Sequence, residues 1–231
     1  MKPILYNTEM VRAILEGRKT VTRRIANINT EITCNDGTTN HDFVLDDFIT
    51  GPPTGFVCRK CGFGVAPPHS RVPCGTSIFR PRYWPSDILY VRETWCDPTP
   101  DQSGYPILYK ADMPMHWDAK DVEFGEEVTL KAEDYKWRPS IHMPKEAARI
   151  FLRVTRVRLQ RLRDISPDQC AAEGIELFCG PVDAREAYYI SSFAALWDTT
   201  IPPADLHKYG WEANPWVWVI DFERCKRPEG E

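Results

Sequence analysis

Residues 17–24, Gly-Arg-Lys-Thr-Val-Thr-Arg-Arg, follow a short amphipathic stretch and open a segment rich in threonine, valine and arginine. Asn7 or Thr8 can cap a helix with one apolar face, and Gly17 stands where a left-handed C-terminal cap belongs. The residues from Lys19 to Ile25 predict a strand, or the loop that leads into one. The helix therefore presents the Lys-Thr-Arg segment at a fixed place, as a site on a rigid scaffold requires.

The rest of the chain mixes strand patterns with modest helix patterns. A helix start is clearest at Ser166, where Pro167 and Gln169 complete a capping-box pattern and Gly174 ends the helix. The other elements are strands at Ile88 to Trp95, Ile107 to Lys110, Ile150 to Leu162 and Pro215 to Glu223, and a helix at Asp183 to Trp197. We expect the strand at 107–110 to pair with the one at 88–95. Strands dispersed among a few helices predict an α+β fold rather than repeated βαβ units.

The composition is that of a globular chain, and we predict one domain over residues 1–231. Hydrophobic residues make up 42% of the sequence and charged residues 27%. From 26 to 86 the composition is dominated by Gly, Pro, Asn, Asp and Thr, which predicts an insertion into that domain. No apolar run approaches the roughly 20 residues that a membrane span needs, and the N-terminal residues turn polar too soon for a signal peptide. We therefore expect a cytoplasmic protein with no membrane partner.

The charge is acidic overall but contains basic clusters. A net charge of −4 argues against a basic protein that coats DNA nonspecifically. The clustered basic residues are Arg12, Arg18, Lys19, Arg23 and Arg24 near the start, and Arg149, Arg153, Arg156, Arg158, Arg161 and Arg163 later. Such clusters either bind a phosphate backbone or are solvated side chains on strands, and both interpretations stay open at this point.

The cysteines of the insertion form a candidate metal site. Cys58 and Cys61 make one CxxC pair, which supplies half of a tetrahedral zinc site. Cys34 and Cys74 are the preferred remaining ligands, with His69 as a substitute for Cys34. A structural zinc would let a segment with little core hold one shape, whereas the alternative is free thiols in a loop. We expect Cys96, Cys170, Cys179 and Cys225 to be small buried hydrophobes.

The motif at 17–24 carries a family resemblance. Gly17, Lys19 and Arg24 match the signature GxKxxxxR, and the chain resembles the ASCH family, in particular a larger subgroup common in phages and prophages. Further stretches share this likeness: Tyr90 to Trp95, Tyr109 to Asp112, Trp137 to Pro144 and Asn214 to Ile220. The resemblance implies a PUA-like mixed β-barrel flanked by short helices, acting on nucleic acids or their building blocks.

One branch of that family implies catalysis. Its small amidohydrolases remove the acetyl group of N4-acetylcytidine, and by resemblance Lys19, Thr22 and Glu173 stand at the matching positions. Physically, a lysine whose pKa is lowered by burial or by neighbouring cations can act as a base beside a hydroxyl group. A carboxylate across the site can then pass the proton to the leaving amine, and Glu93 is the second choice for that carboxylate.

The first expectation from the same fold is binding without catalysis, in a cationic cleft around Lys19 and Arg24, and hydrolysis is the alternative. PUA domains hold RNA beside the barrel, so RNA, single-stranded nucleic acid or a modified nucleoside is the expected partner. The residues expected to contact it are Gly17, Lys19, Arg23, Arg24, Arg92, Glu93, Trp137 and His142, with Trp137 as a platform on which bases stack. A third alternative is a phage accessory protein that has no catalytic activity and acts through a protein partner.

Overall fold

The computed structural model describes residues 1–26, 81–97, 107–113 and 135–228, and the backbone of 43–45, 56–58 and 64–65. The strands are β1 (Lys2–Leu5), β2 (Val21–Ile25), β3 (Phe43–Leu45), β4 (Phe56–Cys58), β5 (Gly64–Val65), β6 (Ile88–Arg92), β7 (Trp95–Cys96), β8 (Leu108–Tyr109), β9 (Phe151–Arg161) and β10 (Trp216–Cys225). The helices are α1 (Thr8–Leu15), α2 (Pro167–Ala172), α3 (Arg185–Thr199) and α4 (Leu206–Tyr209). Parallel and antiparallel strand pairs both occur, so the predicted α+β class is confirmed.

The chain divides into two compact units, each assembled from separate segments. The first unit comprises Met1–Gly17, Ile88–Leu152 and Arg224–Glu231, and the second comprises Arg18–Asp87 and Arg153–Glu223. The motif at 17–24 therefore begins at a point where the chain passes from one unit to the other. Most of the predicted insertion at 26–86 lies outside the described residues.

The first unit contains the predicted N-terminal helix. Asn7 caps α1, its side-chain oxygen accepting a hydrogen bond of 2.8 Å from the backbone N–H of Met10. Gly17 has a φ of +78°, which confirms the left-handed cap that its position predicted. β1 pairs in parallel with β6. The predicted strand at 107–110 does pair with the 88–95 segment, but only at the end of that segment, where β8 meets β7.

The second unit places two helices over one face of an antiparallel pair. β2 and β10 pair with Arg23 opposite Val219 and Thr22 opposite Ile220. The core on that face is formed by Val21, Leu162, Ile165, Cys170, Tyr189, Phe193, Trp197, Ile201, Val217 and Val219. The capping box at Ser166 is confirmed, and Gly174 has a φ of +97° just after α2. α3 begins at Arg185 rather than at Asp183, because a short 3-10 turn at Val182–Ala184 precedes it.

The remaining expectations for the cysteines are partly wrong. Cys96 and Cys170 are buried as expected, and burial raises the pKa of the Cys170 thiol to about 12. Cys225 is half-buried, and Cys179 is exposed because it lies in the irregular segment between α2 and α3. Among the described helices, none has the length and apolar character that crossing a membrane requires.

Candidate active site

Three predicted site residues meet beneath the end of α2. The ammonium of Lys19 donates to Oε2 of Glu173 at 2.6 Å and to the carbonyl oxygen of the same residue at 2.7 Å. The guanidinium of Arg23 donates to Oε1 of Glu173 at 3.0 Å and, through its other terminal nitrogen, to the side chain of Gln169 at 2.7 Å. One carboxylate thus pairs with two cations.

The local fold explains why these side chains meet. α2 is short, and Glu173 is its C-terminal cap. The last carbonyl groups of a helix have no partner within the helix and carry partial negative charge. The segment before β2 supplies those partners: the N–H of Thr20 donates to the carbonyl of Ala172 at 2.9 Å, and Arg18 donates to that of Gly174 at 2.8 Å. Lys19 is therefore held with its cation at the negative end of α2.

Burial sets the electrostatics of this group. Lys19 is 3% exposed and Glu173 is 4% exposed. Burial lowers the pKa of Lys19 below the ordinary lysine value; Glu173 opposes this shift, whereas the charges of Arg24 and Arg23 add to it. Burial also lowers the pKa of Arg23. An amine that gives up its proton more readily than usual, placed against a carboxylate, has the composition of an acid–base pair.

Thr22 and Arg24 lie on the other face of β2. Successive strand residues point to opposite faces, and Arg23 is the residue that faces α2. Thr22 lies across from Ile220, and Arg24 across from Trp218. The fold therefore brings Lys19 and Glu173 together and directs Thr22 away from them.

Glu93 and Arg92 belong to the first unit. The Glu93 carboxylate is 1% exposed and receives two hydrogen bonds from Arg149, at 2.9 and 3.0 Å. Arg149 also pairs with Asp112 at 2.6 and 2.9 Å, and its guanidinium lies 3.9 Å from the centre of the Tyr109 ring. Arg92 donates to the carbonyl groups of Met143 and Ile141.

Trp137 and His142 lie in a basic segment of the first unit. Trp137 is half-buried with its ring centre 6.0 Å from that of Tyr135, and its sequence neighbours Lys136 and Arg138 are exposed. His142 is also exposed. Gly17 adopts a left-handed backbone conformation just after α1.

The arginines of the 149–163 cluster are largely charge-balanced. Besides Arg149, three of them pair with carboxylates: Arg153 with Glu223 at 3.5 Å, Arg158 with Asp221 at 2.8 Å and Arg163 with Glu212 at 3.5 Å. These pairings were not predicted. The burial of Arg23 could have been predicted, because strand alternation places its side chain on the same face as the buried Val21.

The candidate zinc ligands Cys34, Cys61 and Cys74, and the substitute His69, lie outside the described residues, and Cys58 is described by its backbone in β4 alone. Among the described side chains, no group of His, Cys, Asp and Glu is arranged to hold a metal ion. Zinc bound by the four cysteines stays a prediction.

We expect protein purified without chelator to contain about one zinc ion per chain, since a tetrahedral structural site holds one metal ion. Elemental analysis measures this, and Cys58→Ser should remove the metal. Cys179→Ser, at an exposed cysteine of the second unit, is the matched control and should retain it. A zinc content near zero in the unaltered protein would contradict the prediction.

No protein-family model matches this chain, and no curated protein and no solved structure matches it. The ASCH resemblance therefore stays a prediction, based on the motif at 17–24 and on the stretches at 90–95, 109–112, 137–144 and 214–220.

Proposed function

We propose that this chain is an ASCH-type domain with a PUA-like barrel that hydrolyses the amide of N4-acylated cytosine nucleosides, using Lys19 and Glu173 as its acid–base pair. The observation that carries the proposal is the 2.6 Å contact between Nζ of Lys19 and Oε2 of Glu173, which lie 154 positions apart in the sequence. By the resemblance to the ASCH family, Lys19 stands at the catalytic lysine and Glu173 is the best match for the acid.

Burial favours the neutral form of Lys19, because it lowers the pKa of the amine. In the proposed step, this neutral form accepts a proton from water as the water oxygen bonds to the acyl carbon. The resulting ammonium, stabilised by Glu173, returns that proton to the exocyclic nitrogen as the amide C–N bond breaks. The products are a free cytosine amino group and a carboxylic acid, which ionises in water. Because Lys19 and Glu173 are buried, the nucleoside must displace some of the protein atoms that cover them.

The same contact argues against a phosphate-binding role for Lys19. An ammonium already paired with a carboxylate in a buried site gains little from a phosphate, because the existing pair must first separate. The pair is instead suited to moving a proton between two fixed positions.

A second candidate function is binding of RNA or single-stranded nucleic acid by residues 135–145 of the first unit. The observation that favours it is the Tyr135–Trp137 ring pair beside the exposed cations Lys136 and Arg138. Unpaired bases stack on aromatic rings, and the backbone phosphates attract the cations.

We expect the purified protein to release cytidine and acetate from N4-acetylcytidine, as followed by chromatography. Lys19→Ala should lower kcat/KM at least about 100-fold, the lower range for loss of a general acid or base. Glu173 keeps its Arg23 partner in this variant, so the fold should persist. Lys208→Ala, at an exposed lysine of α4, is the control and should retain full activity.

Two results would contradict the hydrolase. One is the absence of turnover by folded wild-type protein with N4-acetylcytidine as a free nucleoside and within an RNA oligonucleotide. The other is equal activity of Lys19→Ala and wild type. Salt-dependent retention of the oligonucleotide without turnover would favour the second candidate instead.

A further inference from the structure

The buried side chain of Arg23 is held in place by residues of α2 and α3. Its two terminal nitrogens donate to Oε1 of Glu173 at 3.0 Å and to the side-chain oxygen of Gln169 at 2.7 Å. The ring centre of Phe193 in α3 lies 5.7 Å from the guanidinium carbon. Gln169 is fixed in turn, because the same oxygen accepts a hydrogen bond from the N–H of Ser166 in the capping box. The guanidinium therefore has one defined position.

This position fixes the orientation of the Glu173 carboxylate. Arg23 binds Oε1, whereas the ammonium of Lys19 binds Oε2 at 2.6 Å. The last torsion of a glutamate side chain is soft, so a carboxylate needs partners to hold it at one angle. Arg23 supplies a partner that is itself anchored to α2. The oxygen that meets Lys19 is thereby kept in one place.

Arg23 also supplies a lasting positive charge. The proposed hydrolysis uses Lys19 in its neutral form, and in that form Arg23 is the charged partner that stays in contact with Glu173. A buried carboxylate without a cation is costly. Burial lowers the pKa of Arg23, but Glu173 opposes that shift by its charge and its hydrogen bond. An arginine keeps its proton over the range in which lysine titrates, so Arg23 can balance Glu173 whether or not Lys19 is protonated.

Other charged or titratable groups of β2, α2 and β9 also act on these two cations. They are Arg24 beside Lys19, and Cys170 and Arg158 beside Arg23. The thiol of Cys170 has a pKa of about 12 and stays neutral where lysine titrates. Arg158 is paired with Asp221 at 2.8 Å. Arg23 differs from these groups because it contacts the same carboxylate as Lys19 does.

We propose that Arg23 is a positioning residue of the acid–base pair, which serves as the permanent counter-ion of Glu173 and holds Oε2 of that carboxylate toward Lys19. The role rests on the proposed function, and it explains how Lys19 can be neutral beside a buried carboxylate. When the Arg23 charge is removed, Glu173 draws more strongly on the ammonium of Lys19, which then keeps its proton to higher pH. Arg23 thus sets the pH above which the base is available.

Arg23→Gln tests the role of the charge, because glutamine is neutral but can still donate a hydrogen bond to Glu173. The pKa of Lys19 is measured by NMR titration of the full chain with isotope-labelled lysine, in which the Lys19 signal is the one that Lys19→Ala lacks. We expect this pKa to rise by about 1 in Arg23→Gln, the lower end of the effect of one neighbouring charge. Arg23→Lys keeps a positive charge and should leave the pKa of Lys19 close to that of wild type.

Arg153→Gln is the matched control, because it removes an exposed arginine of β9 and should not change the pKa of Lys19. Arg23→Met replaces Arg23→Gln if the latter does not fold. An unchanged Lys19 pKa in the neutral variant would overturn the proposal. An equal rise in Arg23→Lys would also overturn it, since the effect would then come from packing rather than from charge.

The pH profile of hydrolysis separates this proposal from the hydrolase itself. The kcat/KM for N4-acetylcytidine should fall at acidic pH as Lys19 takes up a proton, and this fall should occur at higher pH in Arg23→Gln than in wild type. If folded wild type does not hydrolyse the nucleoside, the hydrolase fails, and the NMR titration still decides whether Arg23 is the counter-ion of Glu173. If wild type is active and the Lys19 pKa is equal in both proteins, the role of Arg23 fails alone.

Discussion

Replacing Glu173 with glutamine should lower the free energy of unfolding by about 3–5 kcal/mol, the usual cost of removing one partner from a buried ion pair. The carboxylate is shared by Lys19 and Arg23, both buried, so its removal leaves two cations without their counter-charge. Glutamine has nearly the same shape, and the loss therefore reports charge rather than packing. Urea denaturation followed by circular dichroism measures it.

Asp168→Asn is the matched control, because Asp168 is also an acidic residue of α2. Its side chain is 86% exposed and pairs with Arg185 at 3.1 Å. An exposed pair contributes about 0–1 kcal/mol, so this variant should be nearly as stable as wild type. Equal losses in the two variants would show that the buried network is no more important than a surface pair.

The loss of unfolding free energy in Glu173→Gln should depend on pH. The pKa of Lys19 lies below its unfolded value, so between these two pKa values the unfolded chain binds more protons and stability rises with pH. Glu173 opposes this lowering of the Lys19 pKa, so its removal widens the pH range over which stability rises. The stability difference between wild type and Glu173→Gln should therefore shrink as the pH rises from about 7 toward about 10, near the unfolded lysine pKa. A deficit that grows over this range would contradict the assignment to Lys19.

Replacing Arg149 with methionine should lower the free energy of unfolding by about 3 kcal/mol, because it leaves the Glu93 carboxylate buried without its cation. The loss also removes the two hydrogen bonds that Arg149 donates to Glu93. Methionine preserves much of the aliphatic length, so packing near Tyr109 changes less than charge does. Urea denaturation again measures the difference.

Arg153→Met is the control for the second prediction, since it removes an arginine that is 54% exposed and pairs with Glu223 at 3.5 Å. We expect a change of about 0–1 kcal/mol. A loss in Arg153→Met as large as that in Arg149→Met would contradict the role given to Glu93.

The pH dependence of Arg149→Met has the opposite sign to that of Glu173→Gln. Burial raises the pKa of Glu93, and Arg149 acts against this rise. A carboxyl group with a raised pKa contributes stability that is lost as the pH rises from its unfolded value through its folded one. Removing Arg149 raises the pKa of Glu93 further. The stability difference between wild type and Arg149→Met should be smallest at acidic pH and grow as the pH rises above about 4.3, the unfolded glutamate pKa.

Local features of the fold could be predicted from the sequence. The Asn7 cap, the capping box at Ser166 and the left-handed Gly17 agree with expectation, and Gly174 follows α2 as predicted. Each depends on residues within about one helical turn, where backbone chemistry dominates. The strand at 107–110 was placed correctly, but its pairing was only partly right, because pairing depends on distant residues.

The candidate site could be predicted in part. Lys19 contacts Glu173, the first choice for the carboxylate, whereas Glu93, the second choice, pairs with Arg149. Arg23 was expected to meet a phosphate, yet it pairs with Glu173 and Gln169. Thr22 was grouped with Lys19, although strand alternation directs it toward the opposite face from Arg23.

The sequence by itself determined the capped helix α1 and the strand within residues 19–25, because caps and strand alternation are encoded by near neighbours. Only the tertiary structure decided which carboxylate neutralises Lys19 and that the surrounding cations are buried. That choice depends on a contact across 154 positions, made when the end of α2 docks against the entry to β2. Coulomb interactions between buried groups depend on distance and exposure, and neither is encoded in the order of residues.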